Sequence, residues 1–136
     1  MPFINKPDTT ISMLQKVLDL RAKNQQVIGS NIANAETPGY SAKSLEFEDQ
    51  LKSAVSKNDM QPVTTHPGHI PLQASNISQV QGKLTTHPDN TGIGDENSVS
   101  VDQEMVKLSE NQILYEAAVS MLNKKMSWLK YTINGG

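Results

Sequence analysis

At 136 residues the chain has room for one domain, but 36% hydrophobic and 4% aromatic residues leave little material for a self-sufficient core. A net charge of −2 with no basic run offers nothing to a phosphate backbone, and no apolar stretch approaches the ~20 residues needed to cross a bilayer. The absence of cysteine excludes disulfides and thiolate metal sites.

The opening MPFINKPDTT has neither a charged n-region nor an apolar h-region, so no cleavable leader is expected. The whole of 1–136 reads as a single unit: an N-terminal helix over 8–37, a turn, short helix and irregular middle over 38–97, and a C-terminal helix over 98–134. The expected fold is mainly α, with the two long helices pairing as an antiparallel, coiled-coil-like hairpin.

In the first helix Asp8, Thr9 or Thr10 can cap the orphan amides. Ile11, Leu14, Leu18, Ile28, Ile32 and Ala35 fall on one alternating three–four register, with Arg21 and Gln25 in its remaining places. The segment ends in SNIANAETPGY. Asn31 and Asn34 are mediocre helix residues whose amides suit a crowded helix interface. Thr37-Pro38-Gly39-Tyr40 fits a type II turn, with proline setting φ and glycine accepting a positive φ.

SLEFEDQLKSAVS, residues 44–56, reads as a short helix with Phe47, Leu51 and Ala54 or Val55 at helical spacing. Beyond it the chain is rich in Ser, Thr, Asn, Gln, Pro and Gly, with room for short β-pieces near Val63–Thr65 and Gln79–Thr85. Thr64-Thr65-His66-Pro67 and Thr85-Thr86-His87-Pro88 are similar strings, but two copies do not make a repeat architecture.

The C-terminal helix carries the stronger pattern. Val101, Met105, Leu108, Gln112, Tyr115, Val119, Leu122, Met126, Leu129 and Ile133 keep the three–four alternation without a slip. Ser100 and Gln103 form a sequence-level capping box, Asp102 and Glu104 favour the positive helix end, and Gly135-Gly136 closes it.

Each long helix carries a second apolar stripe. On the first it is Met13, Leu20 and Val27; on the second Leu114, Met121 and Trp128, with Val106 and Ile113 beside them. Apolar surface on two sides implies packing on two sides. The simpler expectation is that the middle segment of the same chain covers it. A hairpin seam buries little compared with the entropy of ordering two long helices, which favours other subunits as the cover. Gly29, Ser30 and Ala33 belong with this surface, as a small-residue strip that lets a neighbouring backbone approach closely.

Chemistry is hard to find. His66, His69 and His87 would have to converge to hold zinc, and His66-Pro67-Gly68-His69 reads as a turn instead. Gly92-Ile93-Gly94 lacks the rest of a dinucleotide fingerprint, and there is no nucleophile elbow or P-loop. Neither an enzyme, a cofactor, a metal, a nucleic acid nor a small-molecule substrate is expected.

Asn31, Asn34, Thr37, Pro38, Gly39 and Tyr40 spell Asn-x-x-Asn-x-x-Thr-Pro-Gly-Tyr, which resembles the N-terminal signature of bacterial flagellar axial proteins, the rod and hook group. LDLRAKNQQVIG, SAKSLEFEDQL and NSVSVDQEMVKLSENQILYEAAVSMLNKKMSWLKYTI resemble its proximal-rod members in particular, over residues 8–55 and 97–134. Distal rod and hook proteins usually show Gln-Arg-x-Tyr-x-x-Asn in the second helix; here Gln112 to Ala118 lacks the Arg and the final Asn. Residues 56–96 match little beyond Thr65, His69 and Ile70.

The resemblance implies a structural subunit of the basal-body rod, exported by the flagellar type III apparatus and stacked helically through its terminal helices. It places the protein beyond the inner membrane, periplasmic in a two-membrane cell. The implied neighbours are further copies, other rod proteins, the rod-to-membrane-ring adaptor, the membrane ring and the export gate. The alternative is a free-standing coiled-coil adaptor or export chaperone.

Overall fold

A computed structural model describes residues 9–59, 77–88 and 99–135. In chain order these form helix α1 (Thr9–Ala33), strand β1 (Ala42–Glu46), helix α2 (Glu48–Asp59), a 3₁₀ turn (Ile77–Gln79), strand β2 (Lys83–His87) and helix α3 (Val101–Ile133). The two long helices pair, as expected. Val63–Thr65 and the histidines His66 and His69 lie outside the described residues.

α1 stops at Ala33, four residues short of the expected end. The backbone N–H of Asn34 makes the last i→i−4 bond, to Ser30 O at 3.0 Å, while its side-chain Nδ2 donates to the same carbonyl at 2.8 Å; beyond it the bonds tighten to i→i−3, Ala35 N–H to Ile32 O at 3.2 Å and Thr37 N–H to Asn34 O at 2.9 Å. A side chain competing for helix carbonyls is why asparagine is a poor interior residue. Pro38 also bars Thr37 from helical geometry. Ala35, assigned to the helical seam from its spacing, therefore lies beyond the helix end.

The segment 44–56 is not one helix. Its first residues belong to β1, which pairs antiparallel with β2 in the register Ser44↔Thr85, Leu45↔Leu84, Glu46↔Lys83. α2 starts only at Glu48, after Phe47, with Glu48 and Asp49 in its first turn. The β-piece expected at Gln79–Thr85 exists a little later, at Lys83–His87, after the 3₁₀ turn. Gly82 makes the entry to β2: its φ is +76°, and a Cβ there would sit 2.9 Å from Leu45 Cδ1.

The core lies on one side of α1. Leu20, Leu45, Phe47, Ala54, Ile77 and Val80 are buried together, with Met13, Val27 and Leu51 packed against them. This corrects the assignment of α1's second stripe to other subunits. Met13, Leu20 and Val27 are covered by the chain's own middle segment, and Leu20 is only 3% exposed. The sequence hides this because the residues that do the covering, such as Ile77 and Val80, are isolated apolar side chains in a polar stretch.

α3 packs on the other side of α1, and the core cluster contains none of its side chains. Its buried residues are Glu104, Asn111 and Ala118, while Leu108, Val119, Leu122, Lys125 and Leu129 are half-buried. The inner face thus runs through Glu104, Leu108, Asn111, Tyr115, Ala118, Leu122, Lys125 and Leu129. The expected seam shares Leu108, Leu122 and Leu129 with it, has Tyr115 at its 38%-exposed margin and Val119 half-buried beside it, but Val101, Met105, Gln112, Met126 and Ile133 are exposed. At about 100° per residue the helix is turned by roughly 50° from its apolar optimum. The cause is α1, whose facing side carries Arg21, Asn24, Gln25 and Asn31 and requires polar partners. On α1 itself Leu14 and Ile28 are buried and Ile11, Leu18 and Ile32 half-buried.

Ser100 is the N-cap of α3 but makes no side-chain capping bond, so the expected capping box does not form. Glu104, whose backbone N–H reaches Ser100 O at 3.0 Å, turns its own side chain inward instead.

Candidate functional site

The signature segment builds a junction around one amide. Asn31, in the last full turn of α1, has no exposed surface. Its Nδ2 donates to Lys43 O at 2.7 Å and to Glu104 Oε2 at 2.9 Å. Its Oδ1 accepts from Lys43 N–H at 2.9 Å and from the Tyr40 hydroxyl at 3.0 Å. A side-chain amide has two donor hydrogens and two acceptor lone pairs, so all are used. The paired bonds to Lys43 are those a neighbouring strand would make, and the amide covers that part of the β1 edge.

The turn delivers the other partners. Tyr40 N–H donates to Thr37 O at 3.2 Å, and Gly39 has φ +76°, the left-handed value that the third position of a type II turn requires. The Thr37 hydroxyl donates to Asn34 Oδ1 at 3.3 Å, tying the turn to the helix stop. The reversal brings the Tyr40 hydroxyl back over the helix it has just left. The last i→i−4 bond thus falls at Asn34, Pro38 and Gly39 turn the chain, and Tyr40 locks the exit to Asn31.

α3 meets this junction through Glu104, which is 3% exposed and also accepts from Lys107 Nζ at 3.0 Å. A second polar layer lies seven residues along both helices. Asn111 Nδ2 donates to Arg21 O at 2.9 Å and to Gln25 Oε1 at 3.0 Å. Its Oδ1 accepts from Asn24 Nδ2 at 3.0 Å and, at the long distance of 3.5 Å, from Arg21. Arg21 also pairs with Glu48 at 3.1 Å and stacks over Phe47 at 4.8 Å, so it links the layer to the start of α2.

Periodicity alone missed Glu104, Asn111 and Lys43, and placed Arg21 on the seam without giving it a role. The available signal was polar: Asn24 and Asn31 are a heptad apart, and so are Glu104 and Asn111. Lys43 acts through its backbone and has no signal in its side chain.

Leu114, Met121 and Trp128 are 44%, 58% and 58% exposed, and Leu114 also borders the groove beside the polar layers, with Asn24, Glu104 and Asn111. Lys125 Nζ lies 5.0 Å from the Trp128 ring centroid. Gly29 and Ala33 are exposed on α1, and a Cβ at Gly29 would meet nothing within 4 Å. His87, the one described histidine, contacts Ser44 Oγ through Nε2 at 2.7 Å across the β-pair. Among the described residues no three His, Cys, Asp or Glu side chains cluster as metal ligands, and no helix is long and apolar enough to cross a membrane.

The site is architectural: an asparagine-centred junction fixes two long helices and leaves one of them largely uncovered. That is the construction of a helical building subunit, one whose long helix is left for contacts with other chains. The family model described as flagella basal body rod protein matches residues 18–40, which hold α1's polar layer positions and the whole turn. Over nearly all of its length the chain is similar to the flagellar basal body rod protein FlgB of Bacillus subtilis, 36% identical over 129 residues that cover 93% of this chain and 95% of that one. With FlgB of Escherichia coli it shares 30% identity over 140 residues, covering 98% and 99%, and with that of Salmonella typhimurium 29% over 138 residues at the same coverage. The chain belongs to the FlgB family of flagellar basal-body rod proteins.

Proposed function

We propose that the chain is a structural, non-enzymatic subunit of the flagellar rod whose contact with its neighbours runs along the outer face of α3. What supports this is the outer face itself. Leu114, Met121 and Trp128 stay exposed although the core around Leu20 and Phe47 is complete without them. Apolar surface on every side of a helix is the mark of one that is buried in its working state. Gly29 and Ala33, on the open face of α1, supply a lane narrow enough for a neighbouring helix to come close.

The neighbours are further copies and other rod proteins, with the rod-to-membrane-ring adaptor, the membrane ring and the export gate at the base. The protein works beyond the inner membrane and reaches it through the flagellar type III apparatus. A free-standing coiled-coil adaptor or chaperone finds no support among the relatives.

Met121→Lys tests the assignment. The purified variant is expected to keep its helix content and stability, yet to be missing from basal bodies isolated from cells that express it. Normal incorporation would refute the outer face of α3 as the contact.

A further inference from the structure

The apolar part of the α1–α3 seam does not define how far one helix is slid along the other. Leu108, Tyr115, Leu122 and Leu129 recur every seven residues on α3, and Ile11, Leu18 and Ile32 lie on the same spacing on α1. Sliding α3 by one heptad sets equivalent side chains opposite one another again. The two polar layers are different. In the observed pairing Asn31 faces Glu104 and Asn24 faces Asn111. Glu104 meets a donor in the first layer and the Asn111 amide meets both donors and acceptors in the second, so the layers are not interchangeable.

We infer that Glu104 and Asn111 are the residues that select the heptad register of the helix pair. Moving α3 so that Glu104 comes beside Asn24 carries Asn111 to Val17, between Leu14 and Leu18, where no side chain can answer a buried amide. Moving it the other way withdraws Glu104 beyond Ala33, the end of α1, and leaves Asn24 and Gln25 facing Ala118. Both slips strand buried polar groups, whereas the observed register gives the Asn31 and Asn111 amides and the Glu104 carboxylate their partners. The rotation of α3 away from its apolar optimum has the same origin: seam packing is given up for register. Asn31 alone cannot do this, because its bonds to Lys43 and Tyr40 form whatever α3 does.

The chain contains no cysteine, so spin labels on Gln26→Cys and Ser127→Cys, exposed positions on α1 and α3 that lie far apart along the helix axes, report one defined distance by pulsed electron resonance, and a slide of α3 changes that distance almost in full. The otherwise unaltered full chain is expected to give a single population. Adding Glu104→Leu and Asn111→Leu is expected to preserve helix content by circular dichroism while producing a second or displaced population about 10 Å away, one heptad of rise. A single unshifted distance in the leucine variant overturns the inference. Loss of helix content in that variant overturns it too, since the polar layers would then hold the hairpin together instead of choosing its register. Several distances in the unaltered chain would likewise contradict it.

Discussion

The side-chain amide of Asn31 donates to Glu104 Oε2 at 2.9 Å, joining positions 73 residues apart at a point sealed from solvent. Around this bond the exit turn, the first strand and the C-terminal helix are all referred to one amide. Glu104 is acceptor-only when ionised, so the junction depends on Asn31 supplying the hydrogen.

Asn31→Leu should therefore be among the most damaging substitutions in the described chain. It strands the Lys43 N–H and C=O together with the Glu104 carboxylate. The expected cost is about 3 kcal/mol or more, since each orphaned buried polar group costs about 1–3 kcal/mol. Urea unfolding checks it, and a loss below about 1 kcal/mol would mean that water replaces the amide.

Glycines should behave in opposite ways. At Gly82→Ala the new methyl meets Leu45 at 2.9 Å on a left-handed backbone, so the strand pair should loosen and the midpoint of unfolding fall. At Gly29→Ala the methyl points into open space within a helix, and the isolated chain should gain up to about 1 kcal/mol. The same change should slow incorporation into rods, if the lane serves a close helix approach. Thermal melts and basal-body composition read the two effects separately.

Adjacent residues on α3 provide a third contrast. Leu122 is half-buried on the inner face, and Met121 is 58% exposed. Leu122→Asp should lower the stability of the monomer and thereby prevent assembly. Met121→Asp should leave the monomer's melt within about 0.5 kcal/mol of the parent, as for ordinary surface positions, and still block assembly. Equal melts for both variants would show that the inner face is not where Leu122 lies.

The Arg21–Glu48 pair should matter through the arginine. Glu48 is largely exposed, so Glu48→Ala is expected to cost no more than about 1 kcal/mol. Arg21→Ala removes the stacking on Phe47 and opens the layer at Asn111, so its cost should be several times larger. Chemical denaturation of the two single variants makes the comparison.

Much of this was legible from residue order alone. Both long helices follow from their apolar spacing, and the Thr37–Tyr40 turn follows from what proline and glycine each do to φ. The rotation of α3 did not, because counting apolar side chains ignores a seam in which Glu104 and Asn111 are satisfied by partners from a distant part of the chain. β1 was hidden for a similar reason. Ala-Lys-Ser-Leu-Glu has no two-residue alternation, and what holds it extended is β2 on one edge and Asn31 on the other. The stripe of Met13, Leu20 and Val27 belongs with these: periodicity reveals that a face is covered, but not by what.

Trp128 gives the most direct test of α3 as the assembly surface, because it is the only tryptophan in the chain and lies on the outer face. Its fluorescence quenching by iodide should be efficient in the dilute protein and fall severalfold when the subunit is built into rods. Strong protection in the dilute monomer, or undiminished quenching in the assembled rod, would contradict the account.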